Sequence, residues 1–231
     1  DFFGCLVTLV LSALCQVLLH GPFEAYAIGG LVVLVPGLAL TTAISELADQ
    51  NLVSGTAKFM QAVLTLLALG LAYILFQDFT LATHLPMAGP SITRPLSWSA
   101  AAIGAALSVS CFGILFKVPL KSLPWASLTG LLGWVILRKF TNTEYVVAAN
   151  FLGSFAVGFI SLTLGHWFRV PSQVFSVPGI IAMLPGMLAL TSFRSLAMGQ
   201  QESGLELAVR VALTAGSIVF GLFTARIPFS I

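Results

Sequence analysis

The proline–glycine pairs Pro36-Gly37 and Pro185-Gly186 stand inside long apolar stretches of this 231-residue chain. A proline removes a backbone donor and clashes with the preceding helical turn, and a glycine loosens the chain further. A helix that restarts at such a break presents unpaired N–H groups and the positive end of its dipole. This pattern predicts a binding site for a carboxylate, and a plain kink at a packing site is the alternative.

Hydroxyl and charged side chains follow each break. Thr41 and Ser45 are four residues apart and share one helix face. Their hydroxyls could bind a small polar solute, or they could bond back to the helix backbone. The residues that we predict to contact a solute are Pro36, Gly37, Thr41, Thr42, Ser45, Glu46, Pro185, Gly186, Thr191 and Arg194.

The amino-acid composition indicates the fold class of the protein in which these residues lie. Apolar residues make up 58% of the chain and charged residues only 8%, and the mean hydropathy is +1.03. So few charges cannot cover a soluble fold, and disorder requires low hydrophobicity. A net charge of +2 is too small for nucleic-acid binding as the main activity. We therefore expect an all-α, polytopic transmembrane bundle whose partner is the lipid bilayer.

About eight spans are predicted, since roughly 20 residues of helix cross a bilayer. They are Phe2–Leu19, Ala25–Ser45, Gly55–Phe76, Trp98–Phe116, Ser122–Leu137, Tyr145–Gly165, Ser172–Phe193 and Ser203–Ala225. The stretch Ser122–Leu137 is the shortest, and Lys121 and Arg138 bracket it. The segment 77–97 contains three prolines and is predicted as an irregular loop. The predicted parts of the chain are therefore 1–76, the connection 77–97, and 98–231.

An internal repeat relates the two breaks. At an offset of 149, residues 26–55 match residues 175–204 at eight of 30 positions, which include both proline–glycine pairs and a Ser-Gly 18 residues later. Chance matching of apolar residues is the alternative to duplication. The second and seventh predicted spans are five crossings apart, so equivalent helices would run in opposite directions. This predicts an inverted five-helix repeat, of which two helices would lie upstream of the chain's first residue.

The charged residues are few enough to weigh singly. Glu46 and Arg194 lie one position apart in repeat register, so together they could bind the ammonium and carboxylate of a zwitterion. Alternatively, both mark the membrane edge. Asp49 and Glu206 are the candidates for proton coupling, although Glu206 and Arg210 have the i,i+4 spacing of a local ion pair. The spacing of the cysteines and histidines predicts neither a metal site nor a cofactor, and no enzyme motif occurs.

Several motifs are similar to those of a known family. Val35-Pro36-Gly37 and the stretch from Leu52 to Ala57 resemble the first membrane half of the threonine/serine exporter family, and the segments 116–119, 123–125 and 178–186 resemble its second half. The resemblance implies ten transmembrane helices in two halves, a preceding cytosolic domain, and proton-driven export of small hydrophilic amino acids. It also implies that both ends of this chain face the cytoplasm. Relatives with separate halves are associated with dicarboxylate export.

The expected function is therefore secondary transport, not catalysis. We expect a proton-driven antiporter that exports threonine or serine across the cytoplasmic membrane, and a homo-oligomer is compatible with the sequence. A small-dicarboxylate exporter, a passive channel and a membrane assembly protein without transport are the alternatives. In each transport hypothesis the solute is small and zwitterionic or anionic.

Overall fold

The computed structural model describes residues 2–19, 23–48, 50–83, 97–140, 145–197 and 199–229. Every regular element in these ranges is helical. The helices are α1 Phe2–Leu19, α2 Phe23–Leu31, α3 Gly37–Ala48, α4 Leu52–Ala82, α5 Trp98–Leu115, α6 Leu123–Phe140, α7 Val146–Phe168, α8 Gln173–Ile180, α9 Gly186–Ala197 and α10 Gln201–Arg226. Short 3₁₀ turns follow α8 at Ile181–Met183 and α10 at Ile227–Phe229.

Five of these helices are long and apolar enough to cross a membrane: α1, α4, α5, α7 and α10. The all-α transmembrane bundle predicted from composition is thus confirmed. α6 covers the predicted span Ser122–Leu137 and has 18 residues, but Arg138 and Lys139 occupy its last turn, and it is not among the five. That α6 crosses the membrane therefore stays a prediction.

Two of the predicted spans are interrupted helices, as the proline–glycine pairs indicated. The second span is divided into α2 and α3, and the seventh into α8 and α9. The largest boundary difference from the sequence prediction is at the end of α4, which continues six residues beyond Phe76, to Ala82. Residues 77–82 contain neither proline nor glycine, so nothing in them ends the helix. The residues 84–96 of the predicted loop lie outside the described ranges.

The chain forms two compact units. Unit 1 comprises Asp1–Pro95 and Pro185–Val211, and unit 2 comprises Leu96–Leu184 and Ala212–Ile231. In unit 1, α3 packs on α4, α1 packs on α2 and α4, and α9 packs on α3 and α4. The rings of Phe23 and Phe76 stack with centroids 5.9 Å apart and belong to the hydrophobic core of this unit. In unit 2, α6 packs on α5, α7 and α8.

Within unit 1, the hairpin of α3 and α4 has the same packing as the hairpin of α9 and the start of α10. A Cβ atom placed on Gly55 would lie 2.8 Å from Cγ of Leu47 and 3.0 Å from its backbone N. A Cβ atom placed on Gly204 would lie 2.6 Å and 2.9 Å from the same atoms of Leu196. Both contacts obey the offset of 149 residues. Only a glycine allows the second helix to start this close to the end of the first.

The turns of the two hairpins also share a left-handed residue at equivalent positions. Gln50 has φ 62° and Gly199 has φ 77°. The backbone N–H of each donates to the carbonyl three residues earlier, in Leu47 and Leu196, at 3.1 Å in both cases. The shared conformation supports the predicted duplication. The inversion of one copy across the membrane stays a prediction.

Candidate functional site

Each half-helix that follows a break starts at the glycine of a proline–glycine pair. α3 begins at Gly37 and α9 at Gly186, and each has 12 residues. The last residue before the second pair, Leu184, is extended, with φ −63° and ψ 136°. Because proline has no N–H to continue the helical ladder, the chain leaves the helix and restarts it one residue later.

The two half-helix N-termini meet within unit 1. A Cβ atom on Gly186 would lie 3.4 Å from Cα of Gly37, 3.5 Å from its backbone N, and 2.9 Å from Cγ1 of Val35. Gly37, Pro185 and Gly186 are buried, and Pro36 is half-buried. We call this place the junction, defined by these two prolines and two glycines. The junction brings together the two breaks that the sequence analysis singled out.

The junction presents backbone donors. The first helical hydrogen bonds run from the N–H of Leu40 to the carbonyl of Pro36, at 3.0 Å, and from the N–H of Ala189 to the carbonyl of Pro185, at 2.9 Å. The backbone N–H groups that precede Leu40 in α3 and Ala189 in α9, such as the N–H of Leu38, have no acceptor in their own helix. The positive ends of two helix dipoles therefore lie side by side, which favours an anion.

The threonines after the first break bond back to their own helix. Thr41 is 3% exposed, and its Oγ1 donates to the carbonyl of Gly37 at 3.0 Å. Thr42 Oγ1 donates to the carbonyl of Ala39 at 3.0 Å. Backbone bonding was one of the two alternatives for these hydroxyls. Since only the proton is used, each hydroxyl oxygen keeps lone pairs that can accept from an ammonium or hydroxyl group.

Glu46 lies away from the junction. It follows Gly37 by nine residues, which corresponds to about 13 Å along α3. Its carboxylate forms an ion pair with Nζ of Lys58 on α4, a partner that the sequence interpretation missed. Arg194 follows Gly186 by eight residues, or about 12 Å along α9, and its side chain lies outside the described part of the structure.

The remaining predicted residues are distributed along unit 1. Glu206 forms an ion pair with Arg210 at 2.8 Å, and both side chains are about two-thirds exposed, as a local i,i+4 pair would be. Ser45 is half-buried on α3 and Thr191 is exposed on α9. Asp49 lies outside the described residues.

Ser192 is a further polar residue of α9, and it has a structural role. Its side chain is 4% exposed, and its Oγ donates to the carbonyl of Gly204 at 2.7 Å. This bond fixes α9 to the start of α10. The hydroxyl therefore stabilises the hairpin that positions the second half-helix.

A buried carboxamide in unit 2 also escaped the sequence analysis. Asn150 on α7 is 2% exposed, and its Nδ2 donates to the carbonyl of Val146 at 2.9 Å. Its Oδ1 is buried and has no hydrogen-bond partner in the described part of the chain. A buried carbonyl without a donor costs free energy unless a bound molecule supplies one. The signal that could have found it is a single carboxamide inside the apolar run 145–165.

The register of α7 against α8 places Asn150 level with the end of the segment that α8 begins. A Cβ atom on Gly179 would lie 3.0 Å from Val157, and one on Gly153 would lie 2.4 Å from Cε of Met183. The two segments are therefore antiparallel: four residues forward, from Gly179 to Met183, correspond to four residues back along α7, from Val157 to Gly153. Asn150 lies about one turn before Gly153 and is therefore level with Leu184, the extended residue that follows Met183 in unit 2.

Comparison with known families decides what kind of protein carries this geometry. The model of the family described as "Threonine/Serine exporter, ThrE" matches residues 101–227, which is more than half of the chain. A second model, described as "Putative threonine/serine exporter", matches residues 1–79. The chain belongs to the threonine/serine exporter family. No solved structure matches it.

Membership agrees with the resemblance seen in the sequence motifs. The two family models cover the two halves of the chain, on either side of the segment 80–100. Together with the five long apolar helices, this identifies an integral membrane protein of an exporter family. The junction lies between a half-helix from each of the two matched regions, since α3 is in the first and α9 in the second.

Proposed function

We propose that this protein is a secondary transporter that exports threonine, serine or a similar small hydrophilic amino acid, and that the proton gradient drives it. The observation that carries the proposal is the junction, where two half-helix N-termini meet in a chain of this family. Discontinuous helices that point their N-termini at an anionic group are a recurrent design of transporter sites.

The chemistry of the junction suits an amino acid. The N–H of Gly37 donates to the carbonyl of Val35 at 2.8 Å, so the carboxylate would accept from the next amides in the first turns of α3 and α9. The ammonium would donate to Oγ1 of Thr41, whose own proton is engaged by the carbonyl of Gly37. Two or three such charge-assisted bonds at about 1.5–3 kcal/mol each, less the cost of immobilising the solute, favour an affinity in the millimolar range. An exporter that releases its solute needs no tighter binding.

Glu46 and Arg194 take a different place in this proposal. Each is separated from the junction by about 12–13 Å of helix, whereas one carbon separates the ammonium and carboxylate of an amino acid. A solute at the junction therefore does not reach Glu46. We assign Glu46, with Lys58, to the membrane edge, which was the alternative left open by the sequence.

Alternating access would follow from the repeat. We propose that α3 and α9 belong to inverted copies, which rock against each other around the junction. The equal hairpins at Gly55 and Gly204 support this, because they would hold each half-helix rigidly to the next span. Asp49 and Glu206 remain the candidates for proton coupling.

A small-dicarboxylate exporter is the second candidate function. It is favoured by one observation: the junction combines two N-termini of the same polarity. A second carboxylate could then replace the ammonium as the group that the site recognises. Such a solute would not depend on Thr41 as an acceptor, because a carboxylate has no proton to donate at neutral pH.

The test is counterflow in proteoliposomes with labelled threonine, serine and succinate, with and without a pH gradient. The proposal predicts exchange of threonine or serine that an inward proton gradient accelerates. Replacing Pro36-Gly37 by Ala-Ala should abolish exchange. The matched control is Pro178→Ala, which changes a proline inside α8 and leaves both breaks intact.

Each outcome decides between the candidates. Exchange of succinate alone would favour the dicarboxylate exporter. Transport that ignores the proton gradient would indicate a passive channel. Normal transport by the Ala-Ala variant would refute the role of the junction, and the absence of any transport would leave a membrane assembly protein as the better interpretation.

A further inference from the structure

Two turns of unit 2 share one sequence pattern. The segment 113–119 reads Gly-Ile-Leu-Phe-Lys-Val-Pro, and the segment 165–171 reads Gly-His-Trp-Phe-Arg-Val-Pro. Both contain a glycine, a phenylalanine, a basic residue, a valine and a proline at the same spacing. The first segment covers the end of α5 and the second the end of α7. We call these two segments the basic turns.

The basic turns also have the same backbone conformation. Lys117 has φ 56° and Arg169 has φ 55°, both in the left-handed region. The next N–H of each turn reaches back five residues, from Val118 to the carbonyl of Gly113 at 2.9 Å and from Val170 to that of Gly165 at 3.1 Å. Glycine is the usual residue at this left-handed helix end, because an L side chain costs free energy there. The turn itself therefore does not require a basic side chain.

The start of α6 brings the basic turns to one end of unit 2. A Cβ atom on Gly113 would lie 2.5 Å from Cδ1 of Leu123, and the rings of Trp125 and Phe168 have centroids 5.9 Å apart. The ends of α5 and α7 thus both contact the first turn of α6. Since neighbouring helix axes are about 8–10 Å apart, the two basic turns lie within about 20 Å of each other.

This end of unit 2 carries cations without counter-ions. Lys117, Lys121 and Arg169 are exposed, and none of the three forms an ion pair with a described residue. Apart from Glu144, which lies outside the described residues, unit 2 contains no aspartate or glutamate. Charge complementarity therefore favours an anionic partner.

Tryptophan rings beside the cations indicate where that partner lies. Trp167 is 76% exposed and Trp125 is 40% exposed. Tryptophan is enriched at the membrane–water interface, where its ring contacts the lipid chains and its N–H contacts the headgroups. Because α5 and α7 are long and apolar enough to cross a membrane, their ends are expected at this interface. A component of the membrane surface therefore fits better than a soluble protein.

We propose that this end of unit 2 binds anionic phospholipid headgroups. Lys117, Lys121 and Arg169 donate to the phosphate oxygens, and Trp125 and Trp167 contact the glycerol and the upper acyl chains. Each cation near an anionic membrane surface contributes a preference of about fivefold. The alternative is that Lys117 and Arg169 only offset the dipoles of α5 and α7 at their C-termini. The proposal is independent of the transported solute.

Quenching of tryptophan fluorescence by brominated lipids tests the proposal. The full chain with Trp98→Phe and Trp134→Phe keeps tryptophan only at this end, because Trp98 begins α5, about 27 Å along the helix from its end, and its ring lies 5.8 Å from that of Trp134. This chain is reconstituted in phosphatidylcholine with a small fraction of brominated phosphatidylglycerol or brominated phosphatidylcholine. We expect phosphatidylglycerol to associate at least tenfold more strongly, and high salt to weaken this preference.

Three double variants make the test specific to the basic turns. Lys117→Gly with Arg169→Gly should reduce the preference at least fivefold without lowering the melting temperature in detergent, because glycine suits the left-handed conformation. Lys117→Arg with Arg169→Lys keeps both charges and should keep the preference. The matched control is Arg138→Gln with Lys139→Gln, which removes the same charge from the last turn of α6 and should leave the preference unchanged.

Other results overturn the proposal. Equal association of the two lipids would exclude a headgroup site. An unchanged preference in the glycine variant, with a lower melting temperature, would show that the two cations serve only the helix dipoles. An equal loss in the control at the end of α6 would indicate net charge rather than a site. Displacement of the lipid by inorganic phosphate at constant ionic strength would assign this end to a soluble anion.

Discussion

The junction can be tested by adding one methyl group where the half-helices meet. In Gly186→Ala, the new Cβ would lie 2.9 Å from Cγ1 of Val35 and 3.4 Å from Cα of Gly37. The valine must move by about half an ångström to reach an ordinary contact distance, and such overpacking costs about 1–3 kcal/mol. The higher helix propensity of alanine offsets up to about 1 kcal/mol of this. We therefore expect a folded protein whose free energy of unfolding falls by at most about 3 kcal/mol.

Transport should lose affinity for a reason separate from any loss of stability. Widening the junction moves two sets of amide donors apart, so that a carboxylate loses at least one charge-assisted hydrogen bond. That bond contributes about 1.5–3 kcal/mol, which corresponds to a loss of about 10- to 150-fold in apparent affinity. The assay is the concentration dependence of threonine and serine exchange in proteoliposomes, together with thermal unfolding in detergent.

The control is Gly104→Ala, the same chemical change at a glycine of α5 whose Cβ position is open. It should leave both exchange and unfolding unchanged. The argument is refuted if Gly186→Ala exchanges solute with unaltered apparent affinity. A parallel loss of stability and transport of the same size would also count against it, because the substitution would then act through folding alone.

Three further predictions concern other parts of the chain. Asn150→Leu should leave the melting temperature unchanged or raise it, because it removes a buried carbonyl without a donor. The same substitution should reduce exchange at least tenfold if a solute, or a water on its path, uses that oxygen. Normal exchange would assign Asn150 to packing. Gly204→Ala and Gly55→Ala should each lower the free energy of unfolding by about 2–3 kcal/mol, since the new methyl group meets backbone in both hairpins. Denaturation in detergent measures this, and a large difference between the two variants would contradict equal packing. Gln50→Gly should stabilise by up to about 1 kcal/mol, because residue 50 has a left-handed conformation, and a lower melting temperature would contradict this.

The breaks of the two discontinuous helices could be predicted from the sequence because they depend on local chemistry. A proline cannot donate to the helical ladder, which makes Pro36 and Pro185 candidate breaks, although Pro178 stands inside α8 without interrupting it. The duplication was also visible, since shared residues fix shared turns. By contrast, the end of α4 was placed six residues too early, because no residue after Phe76 opposes a helix and the apolar pattern alone does not mark its end.

The partners of polar side chains were harder to predict. Glu46 was considered with Arg194, its near neighbour in repeat register, but the structure pairs it with Lys58 across the turn between α3 and α4. The burial of Asn150 was not predicted, since it depends on how α7 packs in unit 2. Such contacts join residues from different helices, and neither periodicity nor spacing encodes which helices become neighbours.

The sequence by itself therefore determined that this protein lies in a membrane, where its helices break, and that two segments share one design. These properties follow from transfer free energies and backbone chemistry, which act residue by residue. Only the tertiary structure decided that the glycines of the two breaks meet, because Gly37 and Gly186 are separated by 149 residues and only packing within unit 1 brings them together. It also decided that Gly4 and Gly30 are exposed while Gly153 and Gly179, their counterparts in the repeat, are buried, since exposure depends on which helices pack together.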